Sequence, residues 1–125
     1  MSQENVEVVR SIYRLWSEGQ SVRHLIDPDL DYVNPPNAVE SGTRHGRSAL
    51  NKVLDVYADF RVEAERFVDA GEHVVVIGTA RGTAASGIEA QWRQGYVWTV
   101  RDGRATRFRW FNHPEEALKA VGLAE

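Results

Sequence analysis

The last third of the chain constrains the fold more than any other part. Gln91 to Val100 alternates rings with polar residues, Asp102-Gly103 follows, and Ala105 to His113 alternates again. Asp and Gly both tolerate the positive φ that a tight hairpin turn demands, so the two arms are expected to pair as antiparallel strands. Side chains alternate across a strand. Trp92, Gln94, Tyr96 and Trp98 therefore share one face of the first arm, and Phe108, Trp110 and Asn112 share one face of the second. A face of rings with a few polar tips suits a ligand pocket better than a purely aliphatic core would.

Upstream, the pattern divides into a helical part and a strand part. Ser2 is the expected N-cap of a first helix, with Asn5 the alternative, and Val6, Val9, Ile12, Tyr13 and Trp16 fall at helical spacing before Gly19 stops it. Ser21 to Ile26 reads as a short second helix halted by Asp27-Pro28. Leu30 to Asn34 reads as a strand closed by Pro35-Pro36, and Asn37 to Gly46 as a loop. A third helix is expected from about Arg47 to Asp59, with Leu50, Val53, Leu54 and Tyr57 on its apolar side. Beyond it the period changes to two. Phe60 to Ala70 and His73 to Thr83 read as strands joined by a Gly71-Glu72 turn, and Val74-Val75-Val76-Ile77 is apolar on both faces. Pro114 opens a last short helix that ends before Gly122. Early helices followed by a run of strands argue an α+β fold with a mainly antiparallel sheet.

Composition removes several classes of function. The 125 residues suit a single domain, 1–125, and 42% hydrophobic content can fill one core. The formal net charge is −3 and the basic residues are scattered, so no nucleic-acid footprint is present. The absence of cysteine excludes disulfides, thiolate metal sites and a cysteine nucleophile. His24, His45, His73 and His113 show no ligand spacing, and Gly78, Gly82 and Gly87 make no phosphate loop, so no metal or other cofactor is expected. No apolar run approaches the roughly 20 residues of a membrane span. The start, Met1-Ser2-Gln3-Glu4-Asn5, is unlike a secretory leader, and the expected location is the cytoplasm.

Several ordered pieces carry a resemblance. They are Trp16-Ser17-Glu18-Gly19 closing the first helix, Asn34-Pro35-Pro36, His45-Gly46-Arg47, Phe67-Val68-Asp69-Ala70-Gly71 ahead of the valine strand, Tyr96 to Gly103, and Glu115-Glu116-Ala117-Leu118. In that order they resemble the SnoaL-like group of the nuclear-transport-factor-2-like superfamily across nearly the whole chain. The resemblance implies a cone: a strongly curved, mainly antiparallel sheet wrapped around three helices from the N-terminal half, with a short C-terminal helix. It implies a small apolar ligand at the mouth of the cone, and a homodimer through the outer sheet face. It does not specify an activity, because function lives in the site and not in the scaffold.

The resemblance to ketosteroid isomerase within that superfamily breaks at the base. Where that enzyme carries an aspartate before a proline, this chain has Asn34, and an amide cannot take a proton near neutral pH. The oxyanion tyrosine of the first helix aligns with Ile12, next to Tyr13, and the protonated aspartate aligns near Tyr96, whose phenol can donate the same hydrogen bond. An epoxide-hydrolase set of acids is also missing from the expected inner face, since Asp31, Glu63 and Glu65 alternate outward. Arg107, Arg109 and Phe111 share that outer side, where opposite charges can pair across strands or across a dimer.

Two functions remain open. One is cofactor-free isomerase, cyclase or dehydratase chemistry on a compact apolar carbonyl- or hydroxyl-bearing substrate. Tyr96 and Asn34 would be its polarising donors and His113 its proton carrier. The other is a non-catalytic module that binds or sequesters such a molecule. Under either, Trp16, Tyr32, Trp92, Trp98, Phe108, Trp110 and Asn112 are the expected ligand contacts. His45 and Arg47 are further candidates for the mouth.

Overall fold

The computed structural model describes residues 2–36, 42–46 and 57–123. Helix α1 spans Ser2–Ser17. Its Val6, Val9, Ile12 and Tyr13 are buried, as their spacing requires. It stops in a Schellman arrangement: Gly19 takes φ 71°, its N–H donates to the Trp16 carbonyl, and the Gln20 N–H donates to the Leu15 carbonyl.

Strand β1 is Ile26–Asn34, β2 is Gly42–His45, β3 is Tyr57–Ala70 and β4 is His73–Ala84. β5 is Glu89–Arg101, β6 is Arg104–Phe111, and helix α2 is Pro114–Ala120. The six strands form one mixed sheet in the order β2-β1-β6-β5-β4-β3. Its pairs are antiparallel except β1 with β6, which run parallel. The hairpin of β5 and β6 turns at Asp102-Gly103, with φ 53° and 77° and Arg101 paired to Arg104. Two adjacent positive φ values identify the type I′ turn that these residues favour.

Three expectations change. The helix expected over Ser21 to Ile26 is only a 3-10 turn at Arg23–Leu25, after which β1 starts at once and runs through Asp27-Pro28. Pro28 is tolerated because it falls between Ile26 and Asp31, where the register to β6 shifts and no ladder donor is required. Gly42–His45 is a strand and not part of a loop: it pairs along Asp31 to Asn34. The third helix, expected over 47–59, lies outside the described residues as far as 56, and residues 57–59 open β3. Two α-helices and one short 3-10 turn are thus present among the described residues.

The sheet is also not the strongly curved cone that the resemblance implied. The packing gives a reason: the sheet is held from both sides. Val74, Val76, Tyr96 and Trp98 pack with α1 on one face, here called inner. Val75, Ile77 and Val97 pack with Ala117 and Leu118 of α2 on the other, outer face. The two-faced apolar run of β4 serves both layers. Gly95 lets α2 come close, since a Cβ there would stand 2.6 Å from that of Ala117.

Candidate functional site

The inner face carries a pocket of about 130 Å³ beside the end of α1. α1 contributes Tyr13 and Trp16, and β1 contributes Tyr32. β3 adds Phe60 and Val62, β5 adds Trp92, Gln94 and Tyr96, and β6 adds Phe108 and Trp110. The wall follows from register: Tyr32 lies opposite Phe108, and Tyr96 opposite Trp110, so their side chains emerge on one face. Ring contacts hold it in shape. Tyr96 stacks on Phe108 with centroids 5.7 Å apart, Tyr32 lies 5.2 Å from Phe108, and Tyr13 meets Trp16 edge-on at 5.5 Å. Trp16 is 39% exposed and stands on the solvent side.

Of the residues expected at the site, Trp16, Tyr32, Trp92, Tyr96, Phe108 and Trp110 come together around this pocket. Trp98 lies beneath it, fully buried, and donates from Nε1 to the Tyr13 hydroxyl at 3.0 Å. Asn34 stands behind the wall with its amide engaged at both ends. Its Oδ1 accepts from Trp110 Nε1 at 2.7 Å, and its Nδ2 donates to the Gly42 carbonyl at 3.3 Å. Asn112 follows the end of β6 and His113 is the exposed N-cap of α2, and neither lines the pocket. His45 is on the outer side, with Nδ1 2.5 Å from Asp31 Oδ1, and Arg47 lies outside the described residues.

The pocket's polarity comes from Tyr32, an expected ligand contact, and from two residues not expected as contacts, Gln94 and Tyr13. Gln94, 7% exposed, is the one polar side chain buried among the described residues. The Tyr96 hydroxyl donates to its Oε1 at 2.8 Å. An amide oxygen occupied in this way leaves the two N–H donors of Nε2 for another partner. Tyr13 is a second donor. Its oxygen accepts from Trp98, which leaves its own hydrogen to give. Tyr32 is a third, with no hydrogen bond to its hydroxyl among the described residues. Gln94 was visible on the ring face of β5, and Tyr13 sits three residues before Trp16 on the helix. The signal to follow was a lone amide among rings.

These phenols resist ionisation. Burial pushes Tyr32 up to about 12, and it also raises Tyr13 and Tyr96, where repulsion from the neighbouring phenolates adds to the effect. All three are neutral donors at physiological pH. Among the described lining residues there is no carboxylate, histidine or cation, and among the described residues no three His, Asp or Glu converge as a metal site would require. The arrangement can hold and polarise a neutral oxygen, and it disfavours a charged group.

The comparisons agree with this fold. Residues 9–108 match the family model of the SnoaL-like domain, and the chain belongs to that family. Among solved structures, it is similar to an NTF2-like protein of unknown function from Burkholderia pseudomallei K96243. That match has 26% identity over 95% of this chain and 98% of the other, with a TM-score of 0.74. TerC, co-crystallised with polyporic acid, matches at 24% identity over 94% of this chain and 98% of its own, also with a TM-score of 0.74. A protein from Jannaschia sp. CCS1, provisionally assigned as a SnoaL-like polyketide cyclase, matches at 20% identity over 98% and 94%, with a TM-score of 0.73. No curated protein matches the sequence. Among the described residues, no helix is long and apolar enough to cross a membrane.

Proposed function

We propose that this SnoaL-like protein binds a compact, uncharged molecule bearing a carbonyl or hydroxyl oxygen in its aromatic pocket. One observation carries the reading: the Tyr13 and Tyr32 hydroxyls and the Gln94 amide bring unused hydrogen-bond donors into a wall otherwise made of rings and Val62. Size supports it, because an apolar cavity of about 150 Å³ takes a benzene-sized ligand, and this pocket measures about 130 Å³. A single ring with one acceptor oxygen suits the space and its polarity.

Isomerase, cyclase or dehydratase chemistry is the second reading. Converging neutral donors can polarise a carbonyl and stabilise charge that develops on its oxygen. The provisional assignment of the Jannaschia protein as a polyketide cyclase also supports it. Against it stands the lack, among the described lining residues, of a group that takes up a proton near neutral pH.

Tryptophan fluorescence tests the binding, since Trp16, Trp92 and Trp110 line the space. Titration with neutral monocyclic ketones and phenols is expected to saturate. Gln94→Leu and Tyr32→Phe are each expected to weaken the best ligand about tenfold, the effect of one lost buried hydrogen bond. A benzoate of the same outline is expected to bind worse than the ketone. A flat titration across the neutral panel would overturn the proposal. Deuterium exchange next to the carbonyl of a bound ketone, followed by NMR in D2O, separates the two readings: exchange marks catalysis, and its absence marks binding alone.

A further inference from the structure

A second concavity, of about 360 Å³, opens on the outer face of the sheet, opposite the aromatic pocket. Arg61 on β3, Arg81 on β4 and Gln91 on β5 are cross-strand partners in one row, and Thr83 and Glu89 form the adjoining pair. Cross-strand partners emerge on the same side, so these side chains enter one groove.

The row sets two arginines opposite each other in the strand register, and like charges placed so destabilise a sheet unless something answers them. The neighbouring Arg93 has a carboxylate to answer it, and Arg81 of the row has one only in part. Arg93 Nε lies 3.3 Å from Glu65 Oε1, and Arg81 Nε lies 3.2 Å from Glu63 Oε1. The Arg81 contact is close but not aligned, and its buried Nε makes no hydrogen bond among the described residues. Arg61 has no ion pair among the described residues.

We propose that Arg61, Arg81 and Gln91 form a binding site for a compact oxyanion, a carboxylate or a phosphate group. All three present N–H donors, and the forked geometry of guanidinium matches both kinds of anion. An anion seated between the two arginines converts their repulsion into a bridge. Thr83 adds a hydroxyl at the next row, and Glu89 opposes the ligand as the carboxylate of the groove. The inner pocket takes a neutral molecule and this groove an anionic one, so the two sites are chemically independent.

Calorimetric titration with inorganic phosphate, and separately with acetate, tests the assignment at low ionic strength, where surface charge is least screened. One saturable site per chain is expected with at least one of the two anions, and the tighter one names the headgroup. Arg61→Ala is expected to weaken binding about fivefold, and Glu89→Gln to tighten it about twofold, in line with the modest strength of partly exposed charge pairs. Far-ultraviolet circular dichroism checks the fold of each variant, and Glu89→Gln tests the site even if Arg61→Ala unfolds. No saturable heat with either anion would overturn the proposal, as would binding that is indifferent to both substitutions.

Discussion

The two faces of this sheet are built from the same strands and solve different problems. On β5, Trp92, Gln94, Tyr96 and Trp98 face inward, while Gln91, Arg93, Gly95 and Val97 face outward. The inner set joins rings and α1 into one apolar mass that is hollow at one end. The outer set is apolar beneath α2, and elsewhere it carries charges, of which Glu63 with Arg81 and Glu65 with Arg93 pair across strands. The difference lies in where the free energy resides. Burying rings removes large apolar areas from water. Exposed ion pairs exchange one polar environment for another and contribute little. The inner face should therefore dominate stability, and the outer face should be open to substitution.

The largest expected effect comes from Trp98. It is fully buried, its ring lies 4.5 Å from that of Phe108, and its indole holds the Tyr13 hydroxyl. Trp98→Ala is expected to cost about 3–5 kcal/mol, the range for removing a large core aromatic. Urea unfolding measures it. A loss below about 1 kcal/mol would break the comparison, because the inner layer would then tolerate a void.

A smaller effect is read in alkaline solution. Tyr32 ionises near 12 in the folded chain and near 10 when unfolded. Below about pH 10 both states hold the proton, and the contribution is fully present. Between about pH 10 and 12 the unfolded chain releases its proton first, so it binds fewer protons than the native state and stability falls as pH rises. Over that window the loss from Tyr32 is about 2–3 kcal/mol, and Tyr13 and Tyr96, shifted in the same direction, steepen it. Tyr32→Phe is expected to flatten the decline without abolishing it. Equal alkaline slopes for the two proteins would show that Tyr32 is not buried as described.

How much of this was legible in the sequence depended on whether the forces were local. The β5–β6 hairpin was readable because Asp102-Gly103 sets its own turn and alternation sets both faces. Helix α1 was readable from its 3.6-residue period and Gly19. β2 was not, because Gly42–His45 is exposed throughout and is held to β1 by backbone pairing, which leaves no apolar alternation. The passage of β1 through Pro28 depended on a register shift against β6, a strand more than 70 residues away. The rings of the site were legible one by one, but its chemistry was not. That Tyr96 donates to Gln94, and so leaves Gln94 and not Tyr96 as a donor, is a fact of side-chain geometry that composition does not carry.

The smallest expected effect sharpens the comparison most, because it lies on the same strand as the largest. Arg93 is one residue from Gln94 and five from Trp98, and its side chain is 62% exposed. Its partner Glu65 also accepts a hydrogen bond from Thr79 at 2.6 Å, so the carboxylate keeps a donor when the arginine is removed. No buried charge is left unpaired, which is the condition under which losing an ion pair becomes expensive. Arg93→Ala is therefore expected to cost no more than about 1 kcal/mol in urea unfolding, and less in high salt. A loss comparable to that of Trp98→Ala would show that the charged ladder of the outer face, and not the ring layer, holds β3 to the sheet.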